Sequence, residues 1–128
     1  MTAELQLLVW AVILTLAQLA VTIAGSLMTR SMLELVGNRE GFAESTGWVG
    51  RAGRAHRNML ESLVPFAALV LVAHAAGASN AMTLLGAQIF VGARVAFAVI
   101  YLAGVPWLRT GVWIVATSGV LLMLIQLL

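Results

Sequence analysis

The chain has 128 residues, of which 62% are hydrophobic and only 9% are charged. Soluble domains carry about a quarter charged residues, so this composition excludes a soluble fold and predicts a protein that has lipid as its solvent. The formal net charge of only +2 argues against a nucleic-acid-binding protein, and the lack of cysteine excludes disulfides, thiolate metal sites and a cysteine nucleophile. No metal site is predicted.

Four long apolar segments follow one another along the chain. The predicted helices cover residues 4–29, 51–77, 81–104 and 108–128, and each approaches or exceeds the length of about 20 residues that crosses a bilayer. The first segment lacks a basic n-region, so we expect it to be retained and not to be a signal peptide. A polar loop over 30–50 and two short turns connect the helices. We therefore expect one all-α membrane domain over residues 1–128, a bundle of four transmembrane helices.

The arginines predict the orientation of this bundle. The first and third connections lie on the same side, and between them they hold six of the seven basic residues: Arg30, Arg39, Arg51, Arg54, Arg57 and Arg109. By the positive-inside rule this side is cytoplasmic, and both termini face the opposite side. The lysine-free composition, rich in alanine and arginine, is typical of a GC-rich bacterial genome and indicates a bacterial inner membrane.

Polar residues continue from the second helix into the membrane. Arg54, Asn58 and Glu61 have the spacing i, i+4, i+7, which predicts one helical face. Glu61 lies about ten residues inside the predicted helix start, or roughly 15 Å at 1.5 Å per residue. Arg94 lies at a matching depth in the third helix, which runs in the opposite direction. The two residues form either a buried ion pair that fixes helix register or part of a functional site, and ionisable residues inside a membrane favour function.

Two further residues extend this polar set toward the arginine-rich side. Tyr101 lies seven residues after Arg94 on the same face, and Arg109 opens the fourth helix. Guanidinium groups bind carboxylates through paired hydrogen bonds, so the set suits a small acidic ligand. Arg109 and the positive N-terminal end of its helix would favour an anion such as a thiolate. Arg51 and Arg57 are instead predicted to be interfacial anchors that face lipid phosphates.

Two motifs make the sequence similar to the MAPEG family, the membrane-associated proteins of eicosanoid and glutathione metabolism. RAHRNMLESLVPF, residues 54–66, resembles the family segment R-A-x-x-N-x-x-E-x-x-x-P-F. IFVGARVAFAVIYLAGVPWLR, residues 89–109, resembles a second segment with G-x-R, a tyrosine seven residues later and an arginine beyond the turn. VGNRE, residues 36–40, resembles the N-P-E-D of the first loop. The likeness is greatest to the branch of microsomal glutathione transferases and prostaglandin E synthases.

This resemblance implies a homotrimer that binds glutathione, or another small thiol, between neighbouring subunits. Arg54, Asn58 and Glu61 would come from one subunit, and Arg94, Tyr101 and Arg109 from its neighbour. Arg30 falls where the family often has another arginine that contacts glutathione. Arg109 matches the arginine that stabilises the thiolate. The implied function is a glutathione-dependent transferase, with peroxidase activity as a further expectation, that acts on lipophilic electrophiles in detoxification.

The sequence also departs from the family pattern and leaves alternatives open. Phe97, Ala98 and Val64 replace residues that are often polar or aromatic in relatives, which leaves the second substrate open and weakens a role in prostaglandin or leukotriene synthesis. One alternative is a catalytically silent membrane scaffold or partner subunit. Another is a small four-helix efflux transporter, which would need a carboxylate inside the first helix, whereas Glu4 is expected only at its edge.

Overall fold

The computed structural model describes residues 1–37 and 45–128, and its helices are α1 (Ala3–Thr29), α2 (Met32–Val36), α3 (Gly47–Ala75), α4 (Ala81–Ala103) and α5 (Pro106–Leu127). Four of them, all except α2, are long and apolar enough to cross a membrane. This architecture confirms the predicted all-α membrane fold.

Two features differ most from the prediction, and the other helix ends agree with it to within two residues. The predicted loop over 30–50 contains the short helix α2, whose first turn is capped where the Ser31 hydroxyl accepts a hydrogen bond from the Glu34 amide at 3.2 Å. The second long helix begins at Gly47 and not at residue 51, because Trp48 and Val49 add an apolar turn that packs on Gly25 of α1. Residues 38–44, which include Arg39 and most of the VGNRE segment, lie outside the described residues.

Local chemistry sets the ends of α4 and so positions the neighbouring helices. The Asn80 side chain accepts hydrogen bonds from the amides of Met82 and Thr83, and the Thr83 hydroxyl accepts one from the Asn80 amide at 2.8 Å, which completes a capping box. At the other end, Gly104 adopts the left-handed conformation with φ 83°, which glycine adopts without strain. Pro106 then begins α5, where its missing amide proton is not needed. These tight turns make α3, α4 and α5 successive antiparallel neighbours.

The most extensive helix contact joins α4 and α5, and two glycines allow it. A Cβ atom at Gly86 would lie 2.6 Å from the carbonyl oxygen of Gly119, and one at Gly119 would lie 2.6 Å from that of Gly86. The two backbones therefore touch where they cross, which is the close approach that small residues permit between membrane helices.

The apolar core lies at the centre of the bundle and draws on all four long helices. Phe66 of α3, which follows Pro65, stacks on Phe90 of α4 with ring centroids 4.1 Å apart. The buried apolar residues around this pair are Ala11, Met59, Val70, Ala87, Ala93, Ala116 and Met123. The core fixes α3 against α4, and this contact also positions the polar residues of both helices.

A separate polar contact joins α1 to α4 at the end of the bundle that holds the termini. Glu4 is only 5% exposed, and the Thr83 hydroxyl donates a hydrogen bond to its carboxylate. Glu4 lies in the first turn of α1, at the edge of the helix as expected, and it is buried against α4. Nearby, the side-chain amide of Asn80 donates a hydrogen bond from Nδ2 to Gln126 Oε1 at 3.4 Å, which extends the contact to α5.

Candidate functional site

Arg94 is the most deeply buried charged residue among those that the structure describes, with 1% of its surface exposed. Its Nη1 atom donates a hydrogen bond to Asn58 Oδ1 at 2.8 Å, and its Nε atom donates to Met59 Sδ at 3.3 Å. The guanidinium also stacks over the Phe97 ring, 4.4 Å from the centroid. Within the described part of the chain, Nη2 is buried without a hydrogen-bond partner. Arg94 therefore retains unused donor capacity in a low-dielectric position.

The ion pair between Glu61 and Arg94 that the sequence left open is not formed. The ion pair that the described residues contain joins Arg30 to Glu34, and Arg94 is bonded to Asn58 instead. Because α3 and α4 are antiparallel, their register brings Asn58 and Met59 opposite Arg94. Glu61 lies almost one turn further along α3, and its side chain is exposed. The buried cation is thus held by a neutral amide and not by a carboxylate.

A row of aromatic and cationic side chains leads from Arg94 to the beginning of α5. Phe97 lies 5.4 Å from Tyr101 between ring centroids, and the Arg109 guanidinium lies 4.6 Å from the centroid of Tyr101. Arg109 belongs to the first turn of α5, which contains no acidic residue. A cation at the positive end of a helix is electrostatically unfavourable by itself. An anion bound beside Arg109 would relieve this repulsion.

Two adjoining cavities open beside this row. One has a volume of about 180 Å³ and is lined by polar and aromatic residues: Asn58, Phe97, Tyr101, Arg109, Thr110 and Trp113. The other has a volume of about 290 Å³ and shares Asn58 and Trp113 with the first, and its remaining lining is Glu61, Ser62, Pro65, Phe90, Thr117 and Val120. The first cavity is cationic, whereas the second is more apolar and carries the Glu61 carboxylate. A ligand with an anionic part and an apolar partner would find both environments side by side.

The structure brings four of the seven predicted site residues together within one chain: Asn58, Arg94, Tyr101 and Arg109. Arg94 does not line either cavity, and it supports Asn58 and Phe97 from behind. Glu61 joins through the second cavity. Arg54 and Arg30 are not part of this group. Arg54 is exposed on α3, and Arg30 lies at the end of α1, 3.8 Å from the Glu34 carboxylate and 3.5 Å from the Ser45 hydroxyl.

Met59, Thr110 and Trp113 are among the site residues that the sequence analysis did not predict. Met59 supplies the sulfur that accepts from Arg94, and Thr110 and Trp113 supply one wall of the cavities. A signal for Thr110 and Trp113 was present, because they follow Arg109 at i+1 and i+4 in a helix that begins beside the site. Met59 gave no such signal, since a methionine within an apolar helix indicates packing.

Comparison with known proteins identifies the family. The sequence matches the MAPEG family over residues 5–128. This chain belongs to the MAPEG family. Together with the four long apolar helices, membership identifies the MAPEG protein as an integral membrane protein. No solved structure matches it significantly.

Two curated relatives share part of the sequence of this MAPEG protein. They are microsomal glutathione S-transferase 1 of Mus musculus and of Rattus norvegicus. Each is 34% identical over 85 residues, a stretch that covers 66% of this chain and 55% of the relative. The alignment thus spans about half the length of these relatives.

Proposed function

We propose that this MAPEG protein is a membrane-bound glutathione transferase that joins the glutathione thiol to lipophilic electrophiles. The observation that carries this proposal is the pair of adjoining cavities, one cationic and one largely apolar, which meet at Asn58 and Trp113. Glutathione is an acidic thiol with two carboxylates, and it suits the cationic cavity. The names of the two curated relatives support the same cofactor.

Arg109 is the proposed catalytic residue. Its guanidinium lies over Tyr101 in the first turn of α5, and the described residues provide no carboxylate within ion-pair distance of it. A cation together with a helix N-terminus stabilises a thiolate over a thiol, as it does for reactive cysteines in proteins. Arg109 therefore raises the fraction of bound glutathione that is ionised at neutral pH. The Tyr101 hydroxyl and the Asn58 amide orient the peptide in the same cavity.

Arg94 has a different proposed role because it is buried behind the cavity wall. Its hydrogen bond fixes the Asn58 side chain, and its stacking fixes Phe97, so both present one orientation to the ligand. Its unpaired Nη2 atom adds positive potential beneath the site. We propose that Arg94 acts on glutathione mainly through these two neighbours. Arg54 and Arg30 remain proposed carboxylate ligands that require a neighbouring subunit.

The apolar cavity receives the second substrate from the bilayer. The glutathione sulfur attacks an electrophilic carbon, a carbon–sulfur bond forms, and for an aryl halide the carbon–halogen bond breaks and halide leaves. The proton of the thiol is released to solvent when the thiolate forms. Phe90, Pro65 and Val120 line this cavity and suit an apolar ring or chain.

We also propose that the protein assembles as a homotrimer. Glu61 is exposed although it lies fourteen residues into α3, roughly 20 Å from the start of the helix. A charged side chain at the centre of a bilayer costs about 3 kcal/mol or more on insertion scales. Contact with another copy would remove Glu61 from lipid and bring Arg54 to the site. Native mass spectrometry in detergent is expected to give three copies, and a monomer that is fully active contradicts this assembly.

The arginine-rich ends of the helices are proposed to face the cytoplasm of a bacterium. Because the chain contains no cysteine, single cysteines can report this orientation. Thr110→Cys lies near the arginine-rich end and Ser79→Cys near the other end. In intact cells, a membrane-impermeant maleimide is expected to label Ser79→Cys alone. The opposite pattern contradicts the proposed orientation.

Glutathione binding and conjugation test the enzymatic proposal. The purified protein is expected to bind glutathione in calorimetry and to conjugate it with an aryl halide. Arg109→Leu is expected to lower the conjugation rate by at least tenfold while leaving the fold intact. Arg57→Leu removes an exposed arginine outside both cavities and serves as the control. If the wild type neither binds glutathione nor conjugates it, the protein is not a glutathione transferase and the scaffold alternative is favoured.

A further inference from the structure

A third cavity lies between α1, α3 and α4 and shares no lining residue with the two cavities of the candidate site. Its volume is about 170 Å³. The walls are almost entirely small and apolar, and they consist of Ala17, Gln18 and Val21 of α1 together with Ala52, Ala55, Ala98, Val99 and Leu102. An apolar cavity of about 150 Å³ is large enough for a benzene ring. This third cavity therefore has room for one ring or a short alkyl group.

In the described part of the chain, the one polar side chain that lines this cavity is Gln18. The Gln18 Oε1 atom is buried and has no hydrogen-bond partner among the described residues. Buried polar atoms without partners are rare in folded proteins, because leaving them unpaired is unfavourable. An unpaired amide in a cavity that otherwise offers only methyl and methylene groups indicates a ligand with a polar group of its own.

A hydroxyl group matches the Gln18 side chain. It donates one hydrogen bond and accepts others, so it pairs with the Gln18 amide in either orientation. A plain acyl chain offers neither function. Entry from the bilayer is open, because Val21 and Val99 are 40% and 65% exposed on the outer surface of the helices.

We propose that this third cavity binds a small lipophilic phenol or alcohol from the membrane. The hydroxyl pairs with Gln18, and the apolar body lies among the alanines. This cavity shares no lining residue with the proposed glutathione site, so the phenol proposal and the transferase proposal are tested separately.

Fluorine NMR with para-fluorophenol and fluorobenzene as probes tests the proposal on the full-length protein in lipid nanodiscs, with empty nanodiscs as reference. The phenol is expected to bind saturably and at least tenfold more tightly than fluorobenzene. Gln18→Leu is expected to remove this preference. Ala98→Leu fills the cavity and is expected to prevent saturable binding of both probes, whereas Ala20→Leu, an exposed position on α1 outside the cavity, leaves binding unchanged.

Three results would overturn the proposal. Equal binding of the two probes would show that the hydroxyl is not recognised. Binding of the phenol that persists in Ala98→Leu would show that it lies elsewhere. A change in oligomeric mass in Ala98→Leu, with no change in Ala20→Leu, would show that this face contacts a second copy of the chain and holds no small ligand.

Discussion

The hydrogen bond between Asn58 and Arg94 makes a quantitative prediction about stability. Asn58→Ala removes the oxygen that lies 2.8 Å from Arg94 Nη1 and leaves the helix backbone unchanged. Arg94 is 1% exposed, and its Nη2 atom has no partner among the described residues. After the substitution, the acceptor that these residues still offer Arg94 is the weak sulfur of Met59. Hydrogen bonds to buried charged groups contribute about 1.5–3 kcal/mol. We expect Asn58→Ala to lower the free energy of unfolding by about 2–3 kcal/mol.

A second substitution separates this hydrogen bond from the other contacts of Asn58. Arg94→Met keeps a long apolar side chain at this position and removes the buried charge. In the Arg94→Met background, Asn58→Ala no longer leaves a cation unpaired and should cost about 0.5 kcal/mol or less. The double-mutant cycle should therefore give a coupling energy of about 2 kcal/mol.

The free energy of unfolding is measured by titrating the protein in dodecylmaltoside micelles with dodecyl sulfate and following tryptophan fluorescence. Ser62→Ala is the matched control. It lies one turn from Asn58, its hydroxyl bonds only to the Asn58 backbone carbonyl at 3.1 Å, and its loss should change stability by about 0.5 kcal/mol or less. Additive effects of Asn58→Ala and Arg94→Met, or a loss below about 0.5 kcal/mol for Asn58→Ala, would refute the assigned role of this hydrogen bond.

Three further predictions concern the packing of the helices, and each is measured in the same unfolding assay. Gly86→Ala should destabilise the protein by about 1–3 kcal/mol, because the added methyl group meets the Gly119 carbonyl. Gly92→Ala is the control and should be neutral or stabilising, because a Cβ atom there meets no neighbouring atom within 4 Å. Equal effects of the two substitutions would contradict the close helix crossing. Thr83→Val should cost about 1–3 kcal/mol, because it leaves Glu4 without its donor and the backbone amide of Asn80 without its acceptor, and Thr83→Ser should restore most of that loss. Gly104→Ala should cost about 1 kcal/mol because of the positive φ at this position, and an unchanged stability would show that the turn relaxes.

The sequence was sufficient to predict the fold because the signals for it are spread over many residues. A composition of 62% hydrophobic residues and four apolar segments determine the number and type of the long helices with little dependence on any single residue. The predicted start of the second long helix, residue 51, was wrong, because α3 begins at Gly47. Trp48 and Val49 extend the helix by packing on Gly25, and such a tertiary contact is not visible in local sequence.

The sequence predicted the relations within α4 and across its turn to α5, but not the register between α3 and α4. Helical spacing indicated correctly that Arg94 and Tyr101 share a face and that Arg109 lies beyond them, since these relations are set within one helix or across a short turn. Spacing placed Glu61 at the depth of Arg94, but the hydrogen-bond partner of Arg94 is Asn58. This pairing depends on the register of α3 against α4, which the packing of Phe66 on Phe90 fixes to within one turn.

The central claim, that Arg109 stabilises the thiolate of bound glutathione, is tested most directly by ultraviolet difference spectroscopy. Purified wild-type protein is mixed with glutathione at neutral pH, and the thiolate absorbance is recorded against that of the separated components. We predict a saturable thiolate signal in the wild type and in Arg57→Leu, and none in Arg109→Leu. A thiolate signal of full amplitude in Arg109→Leu would contradict the assignment.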